Sequence, residues 1–341
     1  MNKRPFSTPP ETVILAELSA AEPDFVSGTA LARKLGISRV AVWQYMEKLR
    51  EQGFTFEAVR ARGYRVLTRP EGLSATLIQS YRRDRAAAFP LQLMTEVDST
   101  NDEAARQLAA GQEAPFAIIA QRQTKGRGRF GRPWHSESNG NLYASFAFRP
   151  RLEPARMQMF TLWMGASICD LIASFCRTTP GLKWPNDLLF DGRKAGGMLT
   201  EARMDADQIR DLVFGLGLNV SLPPGGWPAE LAERAVSLEE HTRQPIDLNK
   251  LTAALIGRVR QSYERFVDGS YKATFADLWN CYDVLRNRPV AVLTHTQRVA
   301  GIAMGIDDEG SFLVRTAAGR TERFRAGEVT LEKPPLERAG R

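Results

Sequence analysis

The segment from Phe116 to Phe146 limits the fold more than any other part of this chain. FAIIAQRQ (116–123) reads as a strand, and KGRGRFGRPW (125–134) follows it with Gly126, Gly128 and Gly131 in G-x-G-x-x-G spacing. In a doubly wound dinucleotide domain such a loop turns straight into a helix, whose N-terminus receives the pyrophosphate. Here RPWHSESNGNLYASF (132–146) has no helical period and carries proline, serine, asparagine and glycine instead. A Rossmann unit is therefore excluded. What remains is a loop of unobstructed backbone N–H groups interleaved with Lys125, Arg127, Arg129 and Arg132, whose forked donors suit phosphate or carboxylate oxygens. No G-x-x-x-x-G-K-[ST] occurs, so a P-loop is excluded as well.

Around this segment the texture changes twice. A chain of 341 residues calls for two or three domains. Residues 11–47 read as three short helices: ETVILAELSA, then GTALARKLG behind a Ser27 cap, then RVAVWQYMEKLREQG behind a Ser38 cap. Gly36 supplies the tight turn between the last two, Ala32 is small where they cross, and Val42 packs back, which is helix-turn-helix spacing. FTFEAVRARGYRVL then alternates around Arg62-Gly63 as a two-stranded wing would. Between Arg33 and Arg69 stand nine basic residues against three acidic ones, a balance suited to phosphate contacts. Gly28, Thr29, Ser38, Arg39, Val40, Trp43, Gln44, Glu47 and Arg62 are the candidate DNA-binding residues. A winged helix used only for packing or dimerisation is the alternative.

TRPEGL (68–73) reads as a linker. Beyond it helices and strands mix: a helix near Ala75 to Arg83, a strand near Leu91 to Val97, a helix from Thr100 to Ala110, strands at FAIIAQ and NLYASFAF, and a long apolar helix over 155–177. Strands follow around LLF, GGMLTEAR and DLVFGLGLNV, then a surface loop at PPGGWP and a helix over 247–267. From Arg288 the short strands PVAVLT, RVAGIAMGI, FLVRT and RTERFRA have hairpin spacing, as in a small β-barrel. The domain boundaries this implies are 1–70, 74–285 and 286–335.

Several classes of function are set aside. Cys169, Cys176 and Cys281 are scattered and odd in number, and His135, His241 and His295 form no H-E-x-x-H, so neither a disulfide framework nor a protein-built metal site is expected. We find no run of ~18 apolar residues and no signal peptide, so no membrane partner is expected and a cytoplasmic location is the default. The net charge of +7 favours an anionic partner.

Farther along stand Lys183-Trp184-Pro185-Asn186-Asp187 and Arg193-Lys194-Ala195-Gly196-Gly197. A lysine aimed at a carboxylate and a phosphate would stabilise the charge that grows when one attacks the other. Gly215 and Gly217 in FGLGLN suggest a flat ligand against backbone, and Asp98-Ser99-Thr100-Asn101 caps a helix with hydroxyls that can also face a ligand.

DSTN at 98, QTKGRGRFGRPW at 123, GNLYASF at 140, KWPND at 183, GRKAGGMLTE at 192 and GLGLN at 215 resemble the successive motifs of the biotin protein ligases, in the family's order and spacing. With the winged helix and the terminal barrel, the likeness extends to the bifunctional members that are also biotin operon repressors. It implies an α+β fold: an N-terminal winged helix-turn-helix, a central mixed α/β ligase domain of the biotin/lipoate ligase type, and a C-terminal SH3-like barrel. It implies two steps, in which biotin and ATP, with Mg2+, give biotinyl-5'-AMP and pyrophosphate, and a lysine of the biotin carboxyl carrier protein of acetyl-CoA carboxylase then takes the biotin. The resemblance also implies operator DNA of biotin synthesis genes as a partner and a homodimer when ligand is bound.

Carried over position by position, Ser99, Thr100, Asn101 and Gln123 would hold the biotin ring system, and Arg127, Gly128 and Arg129 would wrap its carboxylate and the phosphate. Lys194 would contact biotin and stabilise the transition state; Lys194, Arg127 and Arg129 form the implied catalytic set. Gly126, Arg132, Trp134, Lys183, Asp187, Gly215, Gly217 and Asn219 would line the ATP or adenylate site. The chain departs from some relatives in AERAVSLEE, where Ala235 and Val236 replace an aromatic residue. A lipoate protein ligase and a non-catalytic ligand-sensing DNA-binding regulator are the alternatives. The G-R-G-R-x-G-R loop and the barrel favour biotin over lipoate, and the complete cationic set argues against lost catalysis.

Overall fold

A computed structural model describes residues 8–82, 89–136, 140–294 and 296–332. The expectations for Arg83, for residues 137–139, for His295 and for residues 1–7 and 333–335 at the outer domain limits lie outside the described residues.

The N-terminal unit forms from three helices, α1 (Pro10–Ala21), α2 (Gly28–Leu35) and α3 (Arg39–Glu51), and a hairpin of β1 (Thr55–Val59) and β2 (Gly63–Thr68). Ser27 and Ser38 cap α2 and α3 by accepting from Ala30 N and Ala41 N at 3.1 Å. Gly36 takes φ 66°, so the turn holds the conformation a side chain disfavours. Ile14, Leu15, Leu18, Leu31, Val42, Met46 and Leu49 fill the space between the helices. Val26 and Tyr64 exchange backbone hydrogen bonds of 2.9 Å, and a Cβ on the intervening Gly63 would stand 2.1 Å from Val26 O. The linker is tied down: Asn249 accepts from Ser74 N and donates to Gly72 O, both at 2.8 Å.

The central unit comprises α4 (Ala75–Tyr81), β3 (Leu91–Val97), α5 (Thr100–Ala109), β4 (Phe116–Gln123), β5 (Leu142–Phe148), α6 (Met157–Cys176), β6 (Gly181–Lys183), β7 (Asp187–Phe190), β8 (Arg193–Asp205), β9 (Gln208–Leu218), α7 (Leu238–Thr242), α8 (Leu248–Val267) and α9 (Lys272–Tyr282). The seven strands form one sheet in the order β3-β4-β5-β9-β8-β7-β6. Only β3 and β4 pair in parallel, so most of the sheet is built of antiparallel neighbours. Alternation assigns the two faces: Phe116, Ile118, Ala147 and Val213 pack with Ala104 and Leu108 of α5, while Phe146, Phe148 and Phe214 face Phe160 of α6.

Two expectations change here. Helix α6 is long and apolar enough, by length and composition, to cross a membrane, contrary to the expectation that no such run exists; two-thirds of the window is buried inside this core. The helices α7 and α9 were not legible in the sequence. Five strands, β10 (Pro289–Leu293), β11 (Arg298–Ile306), β12 (Phe312–Thr316), β13 (Thr321–Phe324) and β14 (Glu328–Leu331), then close the C-terminal unit in the antiparallel order β13-β12-β11-β10-β14. Trp184 docks this unit on the ligase sheet, stacking on Phe312 at 5.2 Å and donating from Nε1 to Gly310 O at 3.2 Å.

Candidate functional site

Side chains at the N-terminus of α5 make the floor of the site. Ser99 caps the helix by accepting from Asp102 N at 3.4 Å, which leaves Thr100 and Asn101 buried in its first turn. Gln123, at the end of β4, accepts from Thr100 N at 2.8 Å and from Thr100 Oγ1 at 3.1 Å, and donates to Ser136 Oγ at 3.0 Å. From β5 the Ser145 hydroxyl reaches Asn101 Oδ1 at 2.6 Å and Thr100 Oγ1 at 2.8 Å. Buried polar groups are thus linked to one another, which fixes their directions.

No α-helix follows β4. The loop folds back as a small hairpin: Gly128 N donates to Arg132 O and Trp134 N to Gly126 O, both at 2.8 Å, and a single 3-10 turn spans Arg129–Gly131. Phe130, with φ 59°, stands exposed at its tip. A Cβ on Gly126 would lie 2.5 Å from Ser136 Oγ, so its glycine is required by close packing of the returning chain. Arg127 points at carboxylates: Nη1 donates to Asp102 Oδ2 at 2.5 Å, and Nη2 to Glu201 Oε1 and Oε2 at 2.9 and 3.1 Å. The hydrogen bond it donates to Asp102, above all, raises its pKa. Burial lowers the pKa of Arg129, which stacks over Phe130 and donates to Gly327 O of the barrel at 3.2 Å. Arg132 is ion-paired with Glu328 of β14.

Lys194 enters from β8. Its Nζ lies 2.6 Å from Asp187 Oδ1 and 5.2 Å from the centre of the Trp134 ring. The indole lies on the strand glycines: a Cβ at Gly217 would meet Trp134 Cε2 at 2.6 Å, and one at Gly197 would meet its Cζ3 at 3.1 Å. Its Nε1 is buried with no hydrogen-bond partner among the described residues. A flat group does lie against Gly217, and here that group is the protein's own tryptophan. Gly215 departs from the flat-ligand expectation, because a Cβ there would stand 2.2 Å from Asn101 Oδ1. Its absent side chain makes room for Asn101.

Asn219 lies beside Lys194. Its Nδ2 faces Lys194 O and Val236 O at 3.3 Å, so its amide braces backbone around Lys194. Val236 is buried and donates its N–H to Lys194 O at 3.0 Å, so AERAVSLEE is pinned beside the lysine without an aromatic residue. Lys183 ends β6 directly opposite Asp187 of β7. Ser99, Thr100, Asn101, Gln123, Arg127, Trp134, Asp187, Lys194 and Gly217 are therefore connected through contacts, whereas Arg132 and Arg129 reach toward the barrel. Sequence reasoning missed Asp102, Ser145, Ser136 and Glu201. Asp102 and Glu201 each adjoin or close a quoted motif, DSTN and GRKAGGMLTE, and Arg127 needs a carboxylate partner.

In the winged helix the N-terminal half of α3 is exposed, with Val40 at 66% and Trp43 at 52%. Arg62, in the wing, lies over Phe25 at 4.2 Å. Gly28 packs under Tyr64, a Cβ there meeting the ring at 3.3 Å, and Ser38 serves as the helix cap. Glu47 pairs with Arg50, which leaves Arg39, Val40, Trp43 and Gln44 as the outward row of the helix.

A basic winged helix, a mixed seven-stranded sheet carrying a cationic hairpin, and a small barrel define an adenylate-forming ligase joined to a DNA-binding module. Residues 93–219 match the biotin/lipoate A/B protein ligase family, residues 11–65 an HTH domain, and residues 287–331 the biotin protein ligase C-terminal domain. The chain is 31% identical over 303 residues to the bifunctional ligase/repressor BirA of Bacillus subtilis (strain 168), covering 88% of this chain and 92% of that one. It is 30% identical over 321 residues to BirA of Escherichia coli (strain K12), covering 91% and 94%. Biotin protein ligase from Aquifex aeolicus, solved in complex with biotin and ATP, superposes with a TM-score of 0.62 at 29% identity, covering 72% of this chain and 99% of that one. The chain belongs to the biotin protein ligase family, and its length and domain order are those of the bifunctional ligase/repressors.

Proposed function

We propose that the chain activates biotin with ATP, transfers it to a lysine of the biotin carboxyl carrier protein of acetyl-CoA carboxylase, and represses biotin synthesis genes in the cytoplasm. The observation that carries this reading is a buried polar floor of Ser99, Thr100, Asn101 and Gln123 that Arg127 meets through Asp102 and Glu201, and that Gln123, Ser136 and Trp134 join to Lys194. A carboxylate oxygen of biotin attacks the α-phosphorus of ATP, and pyrophosphate leaves. Lys194 takes that growing negative charge once it exchanges Asp187 for the substrate oxygens. Arg129, partly stripped of water, is the second cation, and the hairpin over it keeps water from the acyl phosphate. The acceptor amine then attacks the acyl carbon and AMP leaves. Trp134 covers the adenine by moving off Gly217, or by keeping its place with the base stacked on its outer face.

Mg2+ would be carried in on the phosphate oxygens of ATP. For repression, α3 enters the major groove and the wing meets phosphate. A ligand-bound homodimer would set two such helices on half-sites separated by about 34–36 Å or a multiple of it. The Aquifex aeolicus biotin protein ligase, solved with biotin and ATP, favours that substrate over lipoate.

Incubation with ATP, Mg2+ and either biotin or lipoate tests the enzyme. Pyrophosphate release and a bound biotinyl-5'-AMP mass are expected with biotin only. Release with lipoate alone would move the chain to the lipoate ligases, and release with neither would leave a regulator. Binding to the chain's own biotin-synthesis promoters, strengthened by biotin and ATP, tests repression; no binding with ligand present would remove that half of the reading.

A further inference from the structure

The guanidinium of Arg127 is held by protein carboxylates. Nη2 donates to both oxygens of Glu201, and Nη1 donates to Asp102. The same Glu201 Oε2 accepts from Asn101 Nδ2 at 2.6 Å, and that amide also faces Leu199 O at 3.4 Å. Asn101 Oδ1 in turn receives the Ser145 hydroxyl. One carboxylate on β8 therefore grips a residue of the cationic hairpin and a residue of the buried floor.

We infer that Glu201 is a positioning residue: it ties closure of the hairpin to the pocket that receives the biotin ring, and Arg127 serves as the hairpin's anchor. The substrate-facing work then falls to Arg129, Lys194 and the backbone N–H groups beside Arg127. Three features support this. Nη1 on Asp102 and Nη2 on Glu201 together hold the guanidinium at two nitrogens and so fix its plane, which a single contact would not do. Arg127 has two carboxylate partners, so engaging substrate through its guanidinium would mean giving up its hydrogen bonds to both Asp102 and Glu201. Asn101 can present only its remaining acceptor position to a ligand, and Glu201 decides which way that position faces.

This inference rests on the proposed biotinyl adenylate and is tested by a double-mutant cycle on its escape. Glu201→Gln retains an oxygen for Asn101 Nδ2 but removes the charge that holds Arg127, and Arg127→Met retains the stem without the guanidinium. Wild type is loaded with biotin and ATP, freed of excess substrate, and release of biotinyl-5'-AMP is followed. Each single variant should speed release about 10-fold, and the double variant should match either single one. The rate of pyrophosphate release in the first step should change less than escape does, and the melting temperature should stay at the wild-type value. A product of the two effects, about 100-fold, in the double variant would show independent roles and overturn the inference. So would an unchanged escape rate in Glu201→Gln. A loss of melting temperature matching the loss of retention would reduce Glu201 to a fold-stabilising role. If wild type forms no biotinyl adenylate, the proposed function fails first, and the cycle reports that separately.

Discussion

The protein carries two cationic regions, the hairpin at 125–134 and the winged helix at 28–69, and they hold their charges differently. At the ligase site three cations are already matched, Arg127 with Asp102 and Glu201, Lys194 with Asp187 and Arg132 with Glu328, while Arg129 rests on Phe130 and Gly327 O. On the winged helix, Arg33, Arg39, Lys48, Arg60 and Arg62 make no ion pair among the described residues, while Lys34, Arg50, Arg65 and Arg69 do. The difference follows from what each partner brings. DNA arrives with condensed counterions, so a free surface cation gains by releasing them. A small anion enters a part-buried pocket, where an unpaired cation would be costly before the ligand came. Carboxylate partners keep the site charged and folded, and for Lys194 substrate binding becomes an exchange of partners.

Lys194→Ala tests the exchange most severely. Removing the cation aimed at the growing charge should slow adenylate formation by about 10²–10³-fold, the usual cost of losing one such donor. Near wild-type pyrophosphate release would place the catalytic charge elsewhere, with Arg129 the next candidate. Asp187 would also be left without its cation, so the variant's melting temperature should be read alongside its rate.

Gly215→Ala asks whether the floor is as rigid as its hydrogen bonds imply. The new methyl would meet Asn101 Oδ1 at 2.2 Å, inside any permitted contact, so Asn101 must move or β9 must shift. Overpacking of this kind costs about 1–3 kcal/mol, measurable as a lower denaturant midpoint, and a displaced Asn101 should also raise the KM for biotin. A variant of wild-type stability and KM would show that the floor adjusts freely, and the contrast between a rigid site and an open DNA surface would weaken.

How much of this was legible beforehand depended on whether the signal was local. Ser27, Gly36 and Ser38 specify caps and a turn from their own backbone chemistry, and the structure places all three there. The missing helix after Gly131 was equally plain, because a helical period is a local pattern. The partners of the arginines were not legible: Asp102 is 25 residues from Arg127 and Glu201 is 74, and only the sheet order brings them together. The same holds for Gly215, whose glycine looked like space for a ligand until Asn101 of another element was found in it. The C-terminal barrel was readable from its hairpins, but its contact with the cationic loop through Gly327 and Glu328 was not.

The smallest predicted effect sharpens the comparison from the DNA side. Arg62 lies at the wing, stacked on Phe25, with no ion pair among the described residues. If its guanidinium meets phosphate, Arg62→Ala should weaken binding several-fold on every DNA sequence alike, and the slope of log affinity against log salt should fall by about one. Selective loss on the preferred operator alone would mean that Arg62 reads a base edge, and the wing would belong to recognition rather than to anchoring. Repeating the salt series on adenylate formation gives the counterpart: the change between about 50 and 200 mM should be far smaller there, because part-buried charges already matched with carboxylates are weakly screened. Equal salt sensitivity in the two assays would mean that the ligase cations are as open to solvent ions as those of the wing. The pairing at the ligase site would then amount to loose surface bridges rather than a pocket prepared for exchange.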